Sequence, residues 1–293
     1  MKPLLEKLKE GGTLVCDGAM GTMLQAKGLV PGSCPELWCI DQADEVKSIH
    51  QEYLDAGCDI IETNTFGGNS YKLKHYELED RVAEINRAAA SIARAAAGDD
   101  RYVFGSVGPT GQFMAPLGLE TEESFYNSFK EQVVALEEGG ADAIIVETMT
   151  AIEEAVAAIK AAKENTKLPV VVSFTFDATQ GGGYASMMGI DPEAFAKGAI
   201  AAGADIVSSN CGLGPEQMAD IVKILKDTAP DTPAAAMPNA GLPVVENGET
   251  VFKKTPEDMA ESIKAVIEAG ASIIGGCCGT TPAHLAAMKN AIS

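Results

Sequence analysis

The 293-residue sequence has no uninterrupted apolar run approaching the span of a bilayer, which argues against a membrane-spanning segment. It is short of positive charge, with 22 Lys and Arg against 42 Asp and Glu and a formal net charge of −20 at pH 7. A surface with this excess of carboxylates repels phosphates at long range, so nucleic acid and anionic membranes are poor partners, while small anionic substrates stay open. The opening residues Met1-Lys2-Pro3-Leu4-Leu5-Glu6-Lys7 carry acids too early for a signal peptide, and a cytoplasmic location is the expectation. No even, clustered set of cysteines is present. Seven scattered cysteines fit reduced thiols better than a disulfide framework. Nor does a linker or low-complexity stretch divide the chain, which predicts one domain over residues 1–293.

What the sequence does contain is alternation. Short β-branched runs at 13–16, 59–62, 102–107, 143–147, 170–176, 205–209, 234–237 and 272–275 alternate with Ala-rich segments of helical spacing. The helices are expected near 44–56, 80–97, 121–138, 151–163, 191–202, 215–227, 256–269 and 281–292. Eight strands each followed by a helix is the count that closes a (β/α)8 TIM barrel. The helix-to-strand junction is written four times in similar letters: Ala56-Gly57-Cys58-Asp59, Gly139-Gly140-Ala141-Asp142, Ala202-Gly203-Ala204-Asp205 and Ala269-Gly270-Ala271-Ser272. A glycine able to turn left-handed at a helix end is what such a junction requires.

In a parallel barrel the chemistry sits at the carboxyl ends of the strands. Those ends are rich in polar residues and glycine: Asp17-Gly18-Ala19-Met20-Gly21-Thr22, Glu62-Thr63-Asn64-Thr65-Phe66, Glu147-Thr148, Asn210-Cys211-Gly212, Pro238-Asn239-Ala240-Gly241 and Gly275-Gly276-Cys277-Cys278-Gly279. Neighbouring side chains of a strand point to opposite faces, so Cys277 and Cys278 can converge only where the strand ends or bends, as flanking glycines allow. With Cys211 they place three thiols at one mouth. Three thiolates with an open fourth position suit a catalytic zinc ion, whereas structural zinc is usually closed by four protein ligands. Cys16 and Cys58 are expected to be packed, and Cys34 and Cys39 lack a second pair to complete a metal set. No lysine stands at a strand end, which argues against a Schiff-base lyase or aldolase, and no histidine does either. His50, His75 and His284 are expected at the surface or in caps.

These motifs, in this order along essentially the whole chain, resemble the homocysteine S-methyltransferase family, and most of all the homocysteine-binding barrel of its cobalamin-dependent branch. The resemblance implies that Cys211, Cys277 and Cys278 bind Zn2+ and that the metal activates homocysteine as a thiolate for methyl transfer, giving methionine. It places Asp17 and Glu147 near the homocysteine amino group and the backbone of Gly18, Ala19, Met20, Gly21 and Thr22 at its carboxylate. Carboxylates suit an ammonium and backbone N–H groups suit a carboxylate. Asp17 could equally cap a helix starting near Ala19. Asn239 could supply a weak oxygen ligand to zinc, although its Pro-Asn-Ala-Gly setting is also a good turn.

The sequence has no Asp-x-His-x-x-Gly corrinoid motif. The methyl group is therefore expected on another molecule, and the resemblance to the cobalamin-dependent branch implies a methylcorrinoid carried on a separate protein or domain, with betaine or S-methylmethionine, another thiol acceptor, or a noncatalytic module that recruits a corrinoid protein as alternatives. Residues 179–183 read as a mobile lid, Tyr71 and Tyr184 as candidates for the entrance, and residues 113–117 as a possible docking loop. The oligomeric state has no sequence signal.

Overall fold

The computed structural model describes residues 1–246 and 249–292. Eight parallel strands form the sheet: β1 Leu14–Val15, β2 Ile60–Glu62, β3 Tyr102–Val107, β4 Ala143–Met149, β5 Val170–Phe174, β6 Ile206–Asn210, β7 Ala234–Met237 and β8 Ala271–Ile274. Their order, β1-β8-β7-β6-β5-β4-β3-β2, is closed by a parallel bridge between Cys16 and Ile60. The expected barrel is present. Its outer helices are α1 Ala43–Asp55, α2 Val82–Ala97, α3 Glu122–Glu138, α4 Ile152–Asn165, α5 Pro192–Ala201, α6 Pro215–Thr228, α7 Pro256–Glu268 and α8 Pro282–Ala291. Capping residues start several of them, with Thr121, Asp191 and Thr255 each accepting from an N3 backbone N–H.

Side chains alternate along the strands with period two. In β4, Ala143 and Ile145 join Phe104, Val171, Ile206, Ala235 and Ile273 inside the barrel, while Ile144 and Val146 pack outward beneath the helices. The same parity carries Glu62, Ser106, Glu147, Ser173 and Asn210 inward at the upper ends of their strands. A helix at Leu4–Lys9, absent from the sequence-based assignment, covers the lower end: Leu4 is buried in the interior cluster and Leu5 and Leu8 pack against it.

The four repeated junctions adopt one geometry. Gly57, Gly140, Gly203 and Gly270 have φ between 96° and 109°. At three of them the following Asp reaches back to the first strand of its pair. Asp59 Oδ2 accepts from Val15 N–H (2.9 Å), Asp142 Oδ2 from Val103 N–H (2.8 Å) and Asp205 Oδ2 from Val170 N–H (2.7 Å). Lys289, Arg94 and Lys163 pair with these carboxylates.

Some expectations need correction. His50 is neither superficial nor a cap: it shares the inward face of α1 with Val46, Ile49 and Tyr53, at the helical spacing that buries all four. Neither ring nitrogen has a hydrogen-bond partner, and burial pushes its proton affinity down to about 4. His284 does cap, its Nδ1 accepting from Thr281 N–H at 3.2 Å. Strand β5 stops at Phe174 rather than at 176, where Phe174 and Phe176 both turn to Phe195 of α5. The glycines at 181–183 form the turn of a two-stranded ribbon, Asp177–Ala178 with Tyr184–Ala185. No helix among the described residues is long and apolar enough to cross a membrane.

Candidate functional site

A cavity of about 400 Å³ opens at the carboxyl end of the barrel. Asp17, residues 18–22, Glu62, Glu147, Cys211, Cys277 and Cys278 all line it. The three cysteine sulfurs lie within 4.8 Å of one another, with Cys211 and Cys278 at 3.8 Å. Cys211 leaves β6 with φ of 61°, a left-handed backbone that L residues adopt only when their surroundings hold them. Cys277 and Cys278 follow β8, where Cys277 N–H donates to Pro238 carbonyl (2.9 Å) and Ala240 N–H to Cys278 carbonyl (3.0 Å). Hydrogen bonds from Cys277 first and Cys278 second hold the proton affinity of Cys211 down, while the bond to Cys211 pushes that of Cys278 up. The Asn239 side chain also hydrogen-bonds to Cys211, yet its buried Oδ1 has no partner in the protein. A cation beside the thiols would satisfy it.

Opposite the thiols lie three acids, Asp17 buried and Glu62 and Glu147 half-buried. Burial raises the proton affinity of Asp17 to about 8, against an ordinary 3.8. Its Oδ2 accepts from Glu62 N–H at 2.9 Å. The helix Met20–Ala26 has Ala19 as its N-cap residue with no side-chain bond, so Asp17 is not its cap. Glu62 and Glu147 hydrogen-bond to each other, and burial first and mutual repulsion second drive Glu62 well above the ordinary carboxyl range. Ser106 Oγ donates to Glu147 Oε1 at 2.5 Å. Beneath them the Cys16 thiol donates to Glu62 Oε1 (3.5 Å) and Asp17 Oδ1 (3.6 Å). Cys16 is buried as expected, though against acids rather than in a purely apolar core.

The wall is fixed from several elements. Thr280 Oγ1, fully buried, accepts from Ala19 N–H (3.2 Å) and donates to Cys277 carbonyl (2.7 Å), joining the β1 loop to the cysteine segment. Tyr53 hydroxyl donates to Ala19 carbonyl at 2.9 Å. Glu36 Oε1 accepts from Gly67 N–H at 2.7 Å and so folds the β1 loop over the β2 loop. Cys34 and Cys39 stay apart from the site, bonded to Glu36 and to Asn64 carbonyl respectively. Tyr71 and Tyr184 also stay outside the cavity, donating to Glu120 and Asp220. Sequence reasoning assigned no role to Glu62, Ser106 or Asn210; inward strand parity was the available signal.

A sequence profile described as homocysteine S-methyltransferase matches residues 14–292. The chain belongs to the homocysteine S-methyltransferase family. Within the same comparisons, methionine synthases of Mycobacterium tuberculosis and Mycobacterium leprae are 33% and 32% identical over 96% and 99% of this chain. The chain spans about a quarter of their length, 24% and 25% respectively. Among solved structures, the metallated form of the Escherichia coli homocysteine methyltransferase MmuM superposes with a TM-score of 0.81 at 24% identity, covering 99% of both chains. The carboxyl transferase domain of Rhizobium etli pyruvate carboxylase, at a TM-score of 0.52 and 14% identity over 93% of this chain and 41% of that one, shares the barrel alone. Homocysteine S-methyltransferase membership thus rests on sequence across the barrel, and the structural likeness extends over the same span.

Proposed function

We propose that this homocysteine S-methyltransferase barrel binds homocysteine across its cavity and presents the thiol to a methyl donor, giving methionine. The observation that carries the reading is the facing pair of clusters: three converging thiols on one wall, three clustered carboxyls on the other. The donor set fits a catalytic zinc, since three thiols meet at a cavity wall and the orphan Asn239 oxygen stands beside them. Zinc held by Cys211, Cys277 and Cys278 would supply a coordination position at which a substrate thiol gives up its proton.

The chain's own residues do the rest. Asp17 and Glu147 bind the homocysteine ammonium, with Glu62 as the proton-bearing partner that keeps Glu147 in place. An arriving cation favours their ionised forms, so binding at neutral pH releases a proton from the acid cluster. The backbone of Gly18, Ala19, Met20, Gly21 and Thr22 receives the substrate carboxylate. Ala19 N–H is already held by Thr280, and no side chain caps the first turn that follows, leaving its donors to the ligand. Carboxylate and ammonium fixed at the wall aim the sulfur at the mouth, where the donor arrives. A methylcorrinoid on another protein or domain is the preferred donor, supported by the similarity to methionine synthases.

Two measurements test this. Wild type is expected to hold about one zinc per chain, given three-ligand catalytic sites, and Cys211→Ala to lose it. Unchanged zinc in that variant rejects the assigned ligands. Methylcobalamin, S-methylmethionine and betaine supplied in turn with homocysteine then identify the donor; tight homocysteine binding with no methionine from any of them favours a recruiting module over an enzyme.

A further inference from the structure

Asn210, the last residue of β6, is 1% exposed and points into the barrel between the two walls of the cavity. Its carboxamide is fully engaged. Oδ1 accepts from Thr148 N–H (2.9 Å) and Ser173 Oγ (2.7 Å), while Nδ2 donates to Thr148 Oγ1 (2.8 Å) and Glu147 Oε2 (3.2 Å). Nδ2 also lies 4.0 Å from Cys277 Sγ. Because Thr148 N–H can only donate, the amide has one satisfactory orientation; the flipped form would set donor against donor.

Two strained residues flank this amide. Thr148 has φ of 59° and Cys211 has φ of 61°, each a left-handed backbone at a residue other than glycine, and Thr148 is β-branched besides. Such a conformation persists only where neighbours over-determine it. For Thr148 the two bonds from Asn210 do so. Glu147 precedes Thr148 and Cys211 follows Asn210, so one side chain ties the strand end bearing an acid to the strand end bearing a thiol.

We propose that Asn210 is the positioning residue that sets the span between Glu147 and the thiol cluster, and so selects the chain length of the aminothiol ligand. This rests on the reading above, in which Glu147 meets the ammonium and the cluster meets the sulfur. On this proposal a γ-thiol amino acid meets both walls, and a β-thiol amino acid, one methylene shorter, meets only one. Asn210 acts through the groups it holds and takes no part in methyl transfer.

The test compares L-homocysteine with L-cysteine by calorimetric titration of the zinc-loaded full chain. One methylene is worth about 10–200-fold in a fitted site, and wild type should prefer homocysteine within that range. Asn210→Ser should cut the preference by about tenfold, chiefly by weakening homocysteine. Thr148→Gly in the Asn210→Ser background should restore part of it, because glycine adopts the left-handed backbone without strain; a purely structural role would recover stability alone and leave the preference unmoved. Ser173→Ala removes one donor to Oδ1 and should lower the preference in the same direction, which keeps the question answerable if Asn210→Ser does not fold. A folded variant of either kind that keeps the wild-type preference overturns the proposal. Wild type binding neither aminothiol overturns the functional reading, and the proposal falls with it. Wild type binding both equally overturns the proposal alone.

Discussion

At the scale of single residues, the site is governed by burial of charge. Asp17, held up to about 8 by desolvation, is neutral in the folded protein at mildly acidic pH and ionised in the unfolded chain above about 3.8. An acid with raised folded affinity contributes stability that is full below the unfolded value and lost as pH rises toward the folded one. Asp17→Asn should therefore be close to neutral at pH about 4 and increasingly stabilising relative to wild type toward pH about 8, in urea melts under reducing conditions. An opposite slope would show that the carboxylate is ionised and paired. Glu147→Gln keeps the Ser106 donor bond but removes the charge, and should weaken homocysteine binding about 10–100-fold, from the roughly 1.5–3 kcal/mol of a charged hydrogen bond. The convergence of the three cysteines was legible because adjacent thiols flanked by glycines have few structural uses at a strand end. Glu62 was harder to read: it stands in the sequence as the end of an ordinary strand, and only its fold neighbours make it an acid facing two others. His50 was misread for the converse reason, since a polar residue on an apolar helical face has no mark in sequence that it is buried.

At the scale of elements, strand and helix order followed directly from the β-branched runs and the helical spacing between them, and the four glycine junctions supported the count. The segments that periodicity did not mark are the small ones: the helix at Leu4–Lys9, the loop helices after β1, and the ribbon at Asp177–Ala178 and Tyr184–Ala185. Their shape comes from contacts distant in sequence, such as Glu36 with Gly67 and Thr280 with Ala19. The cysteine segment shows how tightly such contacts bind. A Cβ on Gly276 would stand 2.4 Å from Thr280 Oγ1 and 2.7 Å from Thr280 Cβ, atoms that cannot retreat because the side chain is fully buried and bonded to Cys277 carbonyl. Gly276→Ala should displace Cys277 and Cys278 and drop zinc well below one per chain while the helical circular dichroism is kept. Full zinc occupancy in that variant would show the segment to be more pliant than its packing implies.

At the scale of the whole molecule, stability and chemistry are divided between the two ends of the barrel. The lower end is covered by Leu4 and its helix, the upper end holds the cavity. Leu4→Ala should cost about 2–5 kcal/mol, as large-to-small changes in a core do, without altering zinc content or homocysteine affinity. A loss of affinity equal to the loss of stability would show the ends to be coupled.

The aspartate clasps at the lower end carry a consequence for how the barrel could be cut. Each joins an odd-numbered strand to the even one that follows, Val15 to Asp59, Val103 to Asp142 and Val170 to Asp205. Three of the four strand pairs are clasped in this way, and the fourth, β7 with β8, carries Ser272 where the others have aspartate. Circular permutants opened between pairs, as in the stretch from α4 to β5, would keep every clasp, whereas those opened at 57–59 or 140–142 would sever one. A cut that spares the clasps is one that avoids all three Gly-x-Asp junctions.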